Sequence, residues 1–157
     1  MKIGFGYDSH RFCENRPLVL AGVKIPFEKG LAGHSDADVL VHAICDALLG
    51  AMSEEDIGCH FPDTDPAYKD ISSMILLEEV CSLVRKKGYT IGNIDSTMIL
   101  ESPRIRPYVQ AMKNNLARFL HLDVKNINIK AKTNEGMGFI GENEGMAAFT
   151  VVILQKD

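Results

Sequence analysis

An acid and a histidine stand two residues apart near the start of the chain, Asp8 and His10 in the stretch GFGYDSHRF. Strand side chains alternate, so on an extended backbone the two share a face and could grip one ion. A third donor is then needed. Of the five histidines, His10, His34, His42, His60 and His121, four precede residue 61. His42 lies among Val39, Val41 and Ala43, on a helix so apolar that an imidazole there needs a polar partner. Asp46 one turn later, or Asp38 one turn earlier, could accept the free ring N–H, as the partner of a metal-bound histidine does. Asp8, His10 and His42 would leave a fourth position open, which is the catalytic rather than the structural form of a zinc site. The spacing leaves one alternative open: a chance D-x-H pair beside a core histidine satisfied by an acid.

Three other stretches could do chemistry. His34-Ser35-Asp36 falls where a helix should begin, and free N–H groups at a helix start favour anions, so a phosphate could dock there with His34 as a further donor. Plain capping by Ser35 is the simpler use of the same residues. The stretch DIGCHFPDTD carries Asp56, Asp63 and Asp65 around Gly58. These acids could bind sugar hydroxyls or a hard cation, or only be solvated. Near the end, KAKTNEGMGFIG sets Lys130, Lys132, Thr133, Asn134 and Glu135 beside a glycine turn that permits close approach to a ligand. Lys132 and Thr133 could touch phosphate, and Glu135 could hold a Mg²⁺ bridging phosphate oxygens. Gly136, Gly138 and Gly141 have G-x-G-x-x-G spacing but follow no strand-to-helix crossover, which rejects a dinucleotide fold. No H-E-x-x-H, G-x-S-x-G or P-loop lysine motif occurs.

The elements that must position these residues alternate along the chain. Residues 1–7 suggest a strand ending at Gly6-Tyr7-Asp8, and residues 17–27 suggest a hairpin turning at Ala21-Gly22. A glycine-bearing loop follows. From Asp36 the period becomes helical through Val39, Leu40, Ala43, Ile44, Ala47 and Leu48 to about Ala51, with Ser35 as N-cap and Asp38 three residues on. Residues 53–70 have no sustained period and predict a long loop, a usual place for function. A helix is predicted over 71–87 with Gly88 at its end, a strand over 89–100, a helix from Pro107 to near His121, a strand over 126–133 and a final strand in AAFTVVILQ. The pattern belongs to the α/β (α+β) class: a single domain, residues 1–157, with a four-stranded mixed sheet, helices packed on one face and a small hairpin.

Bulk properties narrow the function. A chain of 157 residues with 46% hydrophobic and 24% charged residues can bury one real core. A net charge of -4 argues against a general nucleic-acid binder. No apolar run could span a bilayer and the start has no signal-peptide core, so the expectation is a cytoplasmic protein with no membrane partner. Cys13, Cys45, Cys59 and Cys81 show no C-x-x-C spacing. Cys45 and Cys81 fall inside apolar helical patterns as buried reduced thiols, and nothing beside Cys13 or Cys59 supports a ligand or a nucleophile.

Five motifs in order, GYDSHRF, GHSDADVLVHAICDALLGA, DIGCHFPDTD, SPRIRPY and KAKTNEGMGFIG, run from end to end of the chain. In them the chain resembles the 2-C-methyl-D-erythritol 2,4-cyclodiphosphate synthase family of the non-mevalonate isoprenoid pathway. The resemblance implies a homotrimer with active sites between subunits and a cytidine diphosphate substrate cyclised with release of CMP. It implies Zn²⁺ or a similar divalent metal at Asp8, His10 and His42, and Mg²⁺ or Mn²⁺ at Glu135 with the substrate phosphates. It makes His34 and Thr133 transition-state stabilisers. Ser35, Asp56, Gly58, Phe61, Asp63 and Asp65 become contacts to the erythritol and diphosphate parts. Leu100, Pro103, Arg104, Ile105, Arg106, Ala131 and Lys132 become the cytosine and phosphate pocket of the neighbouring subunit, with Asn134 and Phe139 as further substrate contacts. Many members carry arginine where this chain has Glu142, pointing into a cavity on the trimer axis that can hold an isoprenoid diphosphate. Glu142 beside Glu144 would make that cavity acidic and disfavour such a ligand. Two rival activities share the same donors: a zinc-dependent phosphohydrolase, and a non-enzymatic metal-bearing nucleotide-binding module.

Overall fold

Two glycines decide where the first helix lies. The computed structural model describes residues 1–156. Its first strand, β1, runs Lys2–Cys13, and the helix α1 runs Val39–Met52. A Cβ added to Gly4 would fall 1.8 Å from the Ala47 carbonyl oxygen, and one on Gly6 2.0 Å from that of Ala43. Bare backbone on β1 and small alanines on α1 therefore let the two elements touch. As β1 advances from Gly4 to Gly6, its partners on α1 step back from Ala47 to Ala43. The next inward residue of β1 is Asp8, and the helix at that level carries His42. The strand does not end at Asp8, as the sequence pattern suggested: pairing with the last strand carries it on to Arg11.

That last strand, β7 (Gly145–Lys156), is central. It pairs antiparallel with β1 on one side and with β5 (Tyr89–Ile99) on the other, and β5 pairs in parallel with β6 (Ile127–Lys132). The hairpin β2 (Leu18–Leu20) and β3 (Val23–Ile25) turns through Ala21 and Gly22, both at positive φ, which is the twist a two-residue hairpin needs. A two-residue strand, β4 (Gly30–Leu31), adds to the edge of β1. The mixed sheet thus has five strands in the order β4-β1-β7-β5-β6, where four were expected. So short a strand carries no alternation to betray it in the sequence.

Helices cover one face, as expected. α1 packs on β1 and β7, with α3 (Ser73–Lys86) outside it, and α4 (Val109–Leu120) packs on β6. α1 is buried on nearly all sides, because it lies between the sheet and α3. The opposite face of β1 and β7 is bare, leaving Ile3, Phe5, Tyr7 and Val151 exposed. The stretch 53–70 is no plain loop. It holds a short helix, α2 (Ile57–His60), and a 3-10 turn at Pro66–Tyr68, each begun by an aspartate that accepts a backbone N–H. One more short helix, α5 (Gly138–Gly141), links β6 to β7. Among the described residues no helix is long and apolar enough to cross a membrane.

The start of α1 corrects another expectation. Asp38, not Ser35, is its N-cap, accepting from Val41 N. The same fully buried carboxylate accepts from Ala21 N at 3.0 Å and Gly22 N at 2.8 Å. One side chain therefore fastens the hairpin turn to the helix that carries His42. Burial, with the Asp36 charge beside it, pushes Asp38 up to about 7 even though these N–H donors pull it down.

Candidate metal centre and active site

Asp8 and His10 point inward from β1, and His42 reaches them from α1. The His10 Nε2 atom lies 2.8 Å from Asp8 Oδ2, His42 Nδ1 lies 3.1 Å from the same oxygen, and the two ring nitrogens are 3.3 Å apart. Three donors around a tetrahedral zinc, each at about 2.0–2.1 Å, stand roughly 3.3 Å from one another. The observed triangle is within about half an ångström of that on every side. One carboxylate oxygen and two imidazole nitrogens suit a divalent transition metal, and the three donors form the metal-compatible cluster found among the described residues. Burial alone would raise the Asp8 carboxyl, but the hydrogen bonds and charges of His10 and His42 outweigh it and hold it down to about 2. His10 is raised in turn: burial lowers it, and the Asp8 carboxylate more than offsets that.

Each ring is oriented from behind. His10 Nδ1–H donates to the Ala32 carbonyl at 2.7 Å. Ala32 directly follows β4, so the strand that sequence reasoning missed is what aims His10. Behind His42, Nε2 lies 2.8 Å from the Ser73 hydroxyl and 3.3 Å from that of Ser35. The expected partners, Asp46 and Asp38, are both committed elsewhere. Asp46 Oδ1 accepts from Ile57 N at 2.8 Å and so fixes the start of α2, while Asp38 caps α1. A helical side chain one turn away lies beside His42, but the ring swings off the helix axis toward β1 and presents its far nitrogen to α3.

The metal-side cavity, about 200 Å³, is lined by His10, His34, Ser35, His42, Gly58, Phe61 and Asp63 together with Gly33, Ile57, Tyr68 and Leu76. His34 Nε2–H donates to the Asp65 carbonyl at 3.0 Å, which ties the histidine loop to the FPDTD stretch. Asp65 and Asp56 spend their carboxylates on Ala67 N and Cys59 N. They cap the short helix and the turn that carry Ile57, Gly58 and Tyr68, and Asp63 is the acid of this stretch that lines the cavity. Arg16 donates to the carbonyl oxygens of Gly33 and Ser35 and braces the loop from outside. Nothing in the sequence singled out Arg16 or Ser73.

The second group of candidates gathers elsewhere. Leu100, Pro103, Arg104, Ile105, Arg106, Ala131, Lys132 and Thr133 line a separate cavity of about 270 Å³, with Glu101. Glu101, within the 100–106 stretch that the resemblance assigns to this pocket, accepts from Asn134 N at 2.8 Å and so supports the TNEG turn. The Thr133 hydroxyl accepts from Glu135 N at 3.3 Å, and Glu135 is exposed and held at φ 53. Phe139 lies in neither cavity. It shares a shallow cleft with Ser9, His10, Arg11 and Glu144, where Arg11 and Glu144 approach to 3.6 Å. The two cavities share no lining residue. β6 and β1 are separated by β7 and β5, three strand spacings or roughly 14 Å.

An α+β domain with a two-histidine, one-carboxylate cluster suited to a divalent metal and a second, separate pocket fits a class, the metal-dependent enzymes acting on small molecules. The chain belongs to the YgbB family, whose pattern matches residues 1–155. It is 55% identical over 157 residues to the 2-C-methyl-D-erythritol 2,4-cyclodiphosphate synthase of Syntrophobacter fumaroxidans, covering 100% of this chain and 99% of that one. Such synthases are lyases of isoprenoid biosynthesis. The bifunctional IspDF of Campylobacter jejuni superposes with a TM-score of 0.96 at 47% identity, over 99% of this chain and 42% of that longer one. IspF of Plasmodium falciparum, solved as a CDP complex, superposes with a TM-score of 0.87 at 35% identity, over 99% of this chain and 96% of its own.

Proposed function

We propose that the chain closes 4-diphosphocytidyl-2-C-methyl-D-erythritol 2-phosphate into 2-C-methyl-D-erythritol 2,4-cyclodiphosphate, with CMP as the leaving group. The observation that carries this is the pairing of a preset metal centre with a detached pocket that holds Thr133. Asp8, His10 and His42 would hold Zn²⁺ or a similar divalent metal, and Glu135 would hold Mg²⁺ or Mn²⁺ against the substrate phosphates. Bound there, such ions neutralise phosphate charge and reduce the repulsion between the attacking and attacked groups.

The remaining work falls to this chain's own side chains. The nucleophile is an oxygen of the substrate's 2-phosphate, so no activated serine or cysteine is required. A bond forms from that oxygen to the β-phosphorus, the bond from the β-phosphorus to the bridging oxygen breaks, and its electron pair leaves on CMP. What the protein must supply is alignment and hydrogen-bond donors where charge develops. His34 and Thr133 are the donors assigned to the transferring phosphoryl group. Ser35, Asp56, Gly58, Phe61, Asp63 and Asp65 hold the erythritol and diphosphate parts. Leu100, Pro103, Arg104, Ile105, Arg106, Ala131 and Lys132 hold the cytidine end, with Asn134 and Phe139 beside them.

A homotrimer explains how the halves meet. The metal-side cavity and the Thr133 cavity share no lining residue on one chain, and in the proposed assembly one substrate lies between the two contributed by neighbouring copies. That contact is head-to-tail, and three copies close it into a ring. The bare apolar stripe of Ile3, Phe5, Tyr7 and Val151 supports burial of this face in such an assembly.

The test is ³¹P NMR of the protein with the cytidylyl substrate and Mg²⁺. Appearance of a cyclic diphosphate with CMP is the expected result. Inorganic phosphate would reveal a phosphohydrolase, and an unchanged spectrum a binding module.

A further inference from the structure

The His42 ring is held by a chain of hydrogen bonds that continues past Ser73. The Ser73 hydroxyl, on a fully buried side chain, donates to Asp36 Oδ1, and the Ser73 backbone N–H donates to Asp36 Oδ2 at 3.1 Å. Asp36 Oδ1 also accepts from Asp38 N at 3.1 Å. A carboxylate can only accept, and a serine hydroxyl has a single proton to give. Once that proton points to Asp36, Ser73 faces His42 Nε2 with lone pairs alone. Nε2 then carries the ring proton toward Ser73, in competition with Asp8 Oδ2, which lies 3.1 Å from Nδ1 and draws a proton to that side of the ring.

We propose that Asp36 and Ser73 form a relay that sets the His42 tautomer, making them positioning residues for the metal centre. The relay uses two elements that the metal ligands do not: the loop before α1 and the first turn of α3. It does for His42 what the Ala32 carbonyl does for His10. Ser35 Oγ, at 3.3 Å from Nε2, accepts from Ala37 N at 3.2 Å and is the weaker of the two partners behind the ring. The inference rests on the assignment of Asp8, His10 and His42 as metal donors. The tautomer, however, exists without a metal and can be tested without one.

The experiment uses the full chain labelled with ¹⁵N-histidine, metal-free, at pH 8. In the wild type His42 should show one tautomer, protonated at Nε2. Ser73→Ala should give a mixture of tautomers, and the hydroxyl-retaining Ser73→Thr should restore the single form. Asp36→Asn, which leaves the ring's own contacts untouched, should also mix the tautomers, because an amide can donate to Ser73 and release its proton toward the ring. In parallel, zinc affinity measured against a chromophoric chelator should fall by about 10- to 100-fold in Ser73→Ala, the usual effect of losing a partner behind a metal ligand. A Ser73→Ala protein with an unchanged Nε2–H tautomer would overturn the relay, whatever its zinc affinity. Absence of zinc binding by the wild type would overturn the ligand assignment and leave the tautomer result to stand alone.

Discussion

Gly6 lies so close beneath Ala43 that a Cβ on the glycine would sit 2.0 Å from the Ala43 carbonyl oxygen and 2.7 Å from Ala47 N. Both neighbours are backbone, so no side chain can move aside. Gly6→Ala should therefore push α1 away from β1 and cost about 3 kcal/mol, at the upper end of ordinary overpacking. Because His42 rides on α1 and Asp8 on β1, zinc affinity should fall with stability. Denaturant unfolding with chelator competition reads both, and a variant with wild-type stability would show that the contact is not tight.

Much of this centre is legible in the sequence. D-x-H names two donors, and a histidine alone on an apolar helix names the third. The Gly4-x-Gly6 pair that brings strand and helix together was also there to be read, as a sign of close backbone approach. What positions the donors was not. Ser73 lies 31 residues from His42 on another helix, and a serine opening a helix looks like any other. The Ala32 carbonyl is backbone and has no signature at all. The spacing rules that pointed to Asp46 hold for exposed helical neighbours, but a ring turned toward β1 takes its partner from the next layer. The extra strand escaped for a related reason: pairing to β1, Phe12 with Leu31 and Cys13 with Gly30, makes it, not its own composition.

Asp38 should leave a mark on stability. Its carboxyl, ordinarily near 3.8, is pushed up to about 7 in the folded protein by burial. Between those values the folded chain binds more protons than the unfolded one, so Asp38's contribution is full below about pH 4 and is lost as pH rises through about 7. Asp38→Asn removes the titration and turns a donor toward the Ala21 and Gly22 N–H groups, costing about 1–3 kcal/mol. The stability difference between wild type and variant should be larger at pH 4.5 than at pH 7.5, roughly the two edges of that window. A difference that grows toward high pH would contradict the sign.

The thiols should divide by burial. Cys45 and Cys81 are buried, and burial pushes Cys81 up to about 12 and Cys45 well above its ordinary value. A thiolate reagent at pH 8 should modify exposed Cys59 first and leave Cys45 and Cys81 intact until the protein unfolds. Mass spectrometry of the native protein checks this, and early labelling of Cys81 would contradict the packing of α3 on α1.

Glu142 is exposed at the end of α5, near Glu144. The resemblance that puts an arginine there in many family members implies that this chain lacks the cationic contact for an isoprenoid diphosphate. Calorimetry with such a ligand should give no measurable heat, and Glu142→Arg should bring binding in. Tight binding by the wild type would count against this.

The most direct test of the proposed composite site mixes two crippled proteins. His42→Ala removes a metal donor and Thr133→Ala a donor of the detached cavity, and each variant alone should have lost nearly all cyclising activity. After unfolding and refolding together in equal amounts, random trimers should regain about a quarter of wild-type activity, because one interface in four joins two intact halves. Recovery near that level, with cyclic diphosphate as the product, is the predicted result. A mixture no more active than its separate components would contradict a site shared between neighbouring chains.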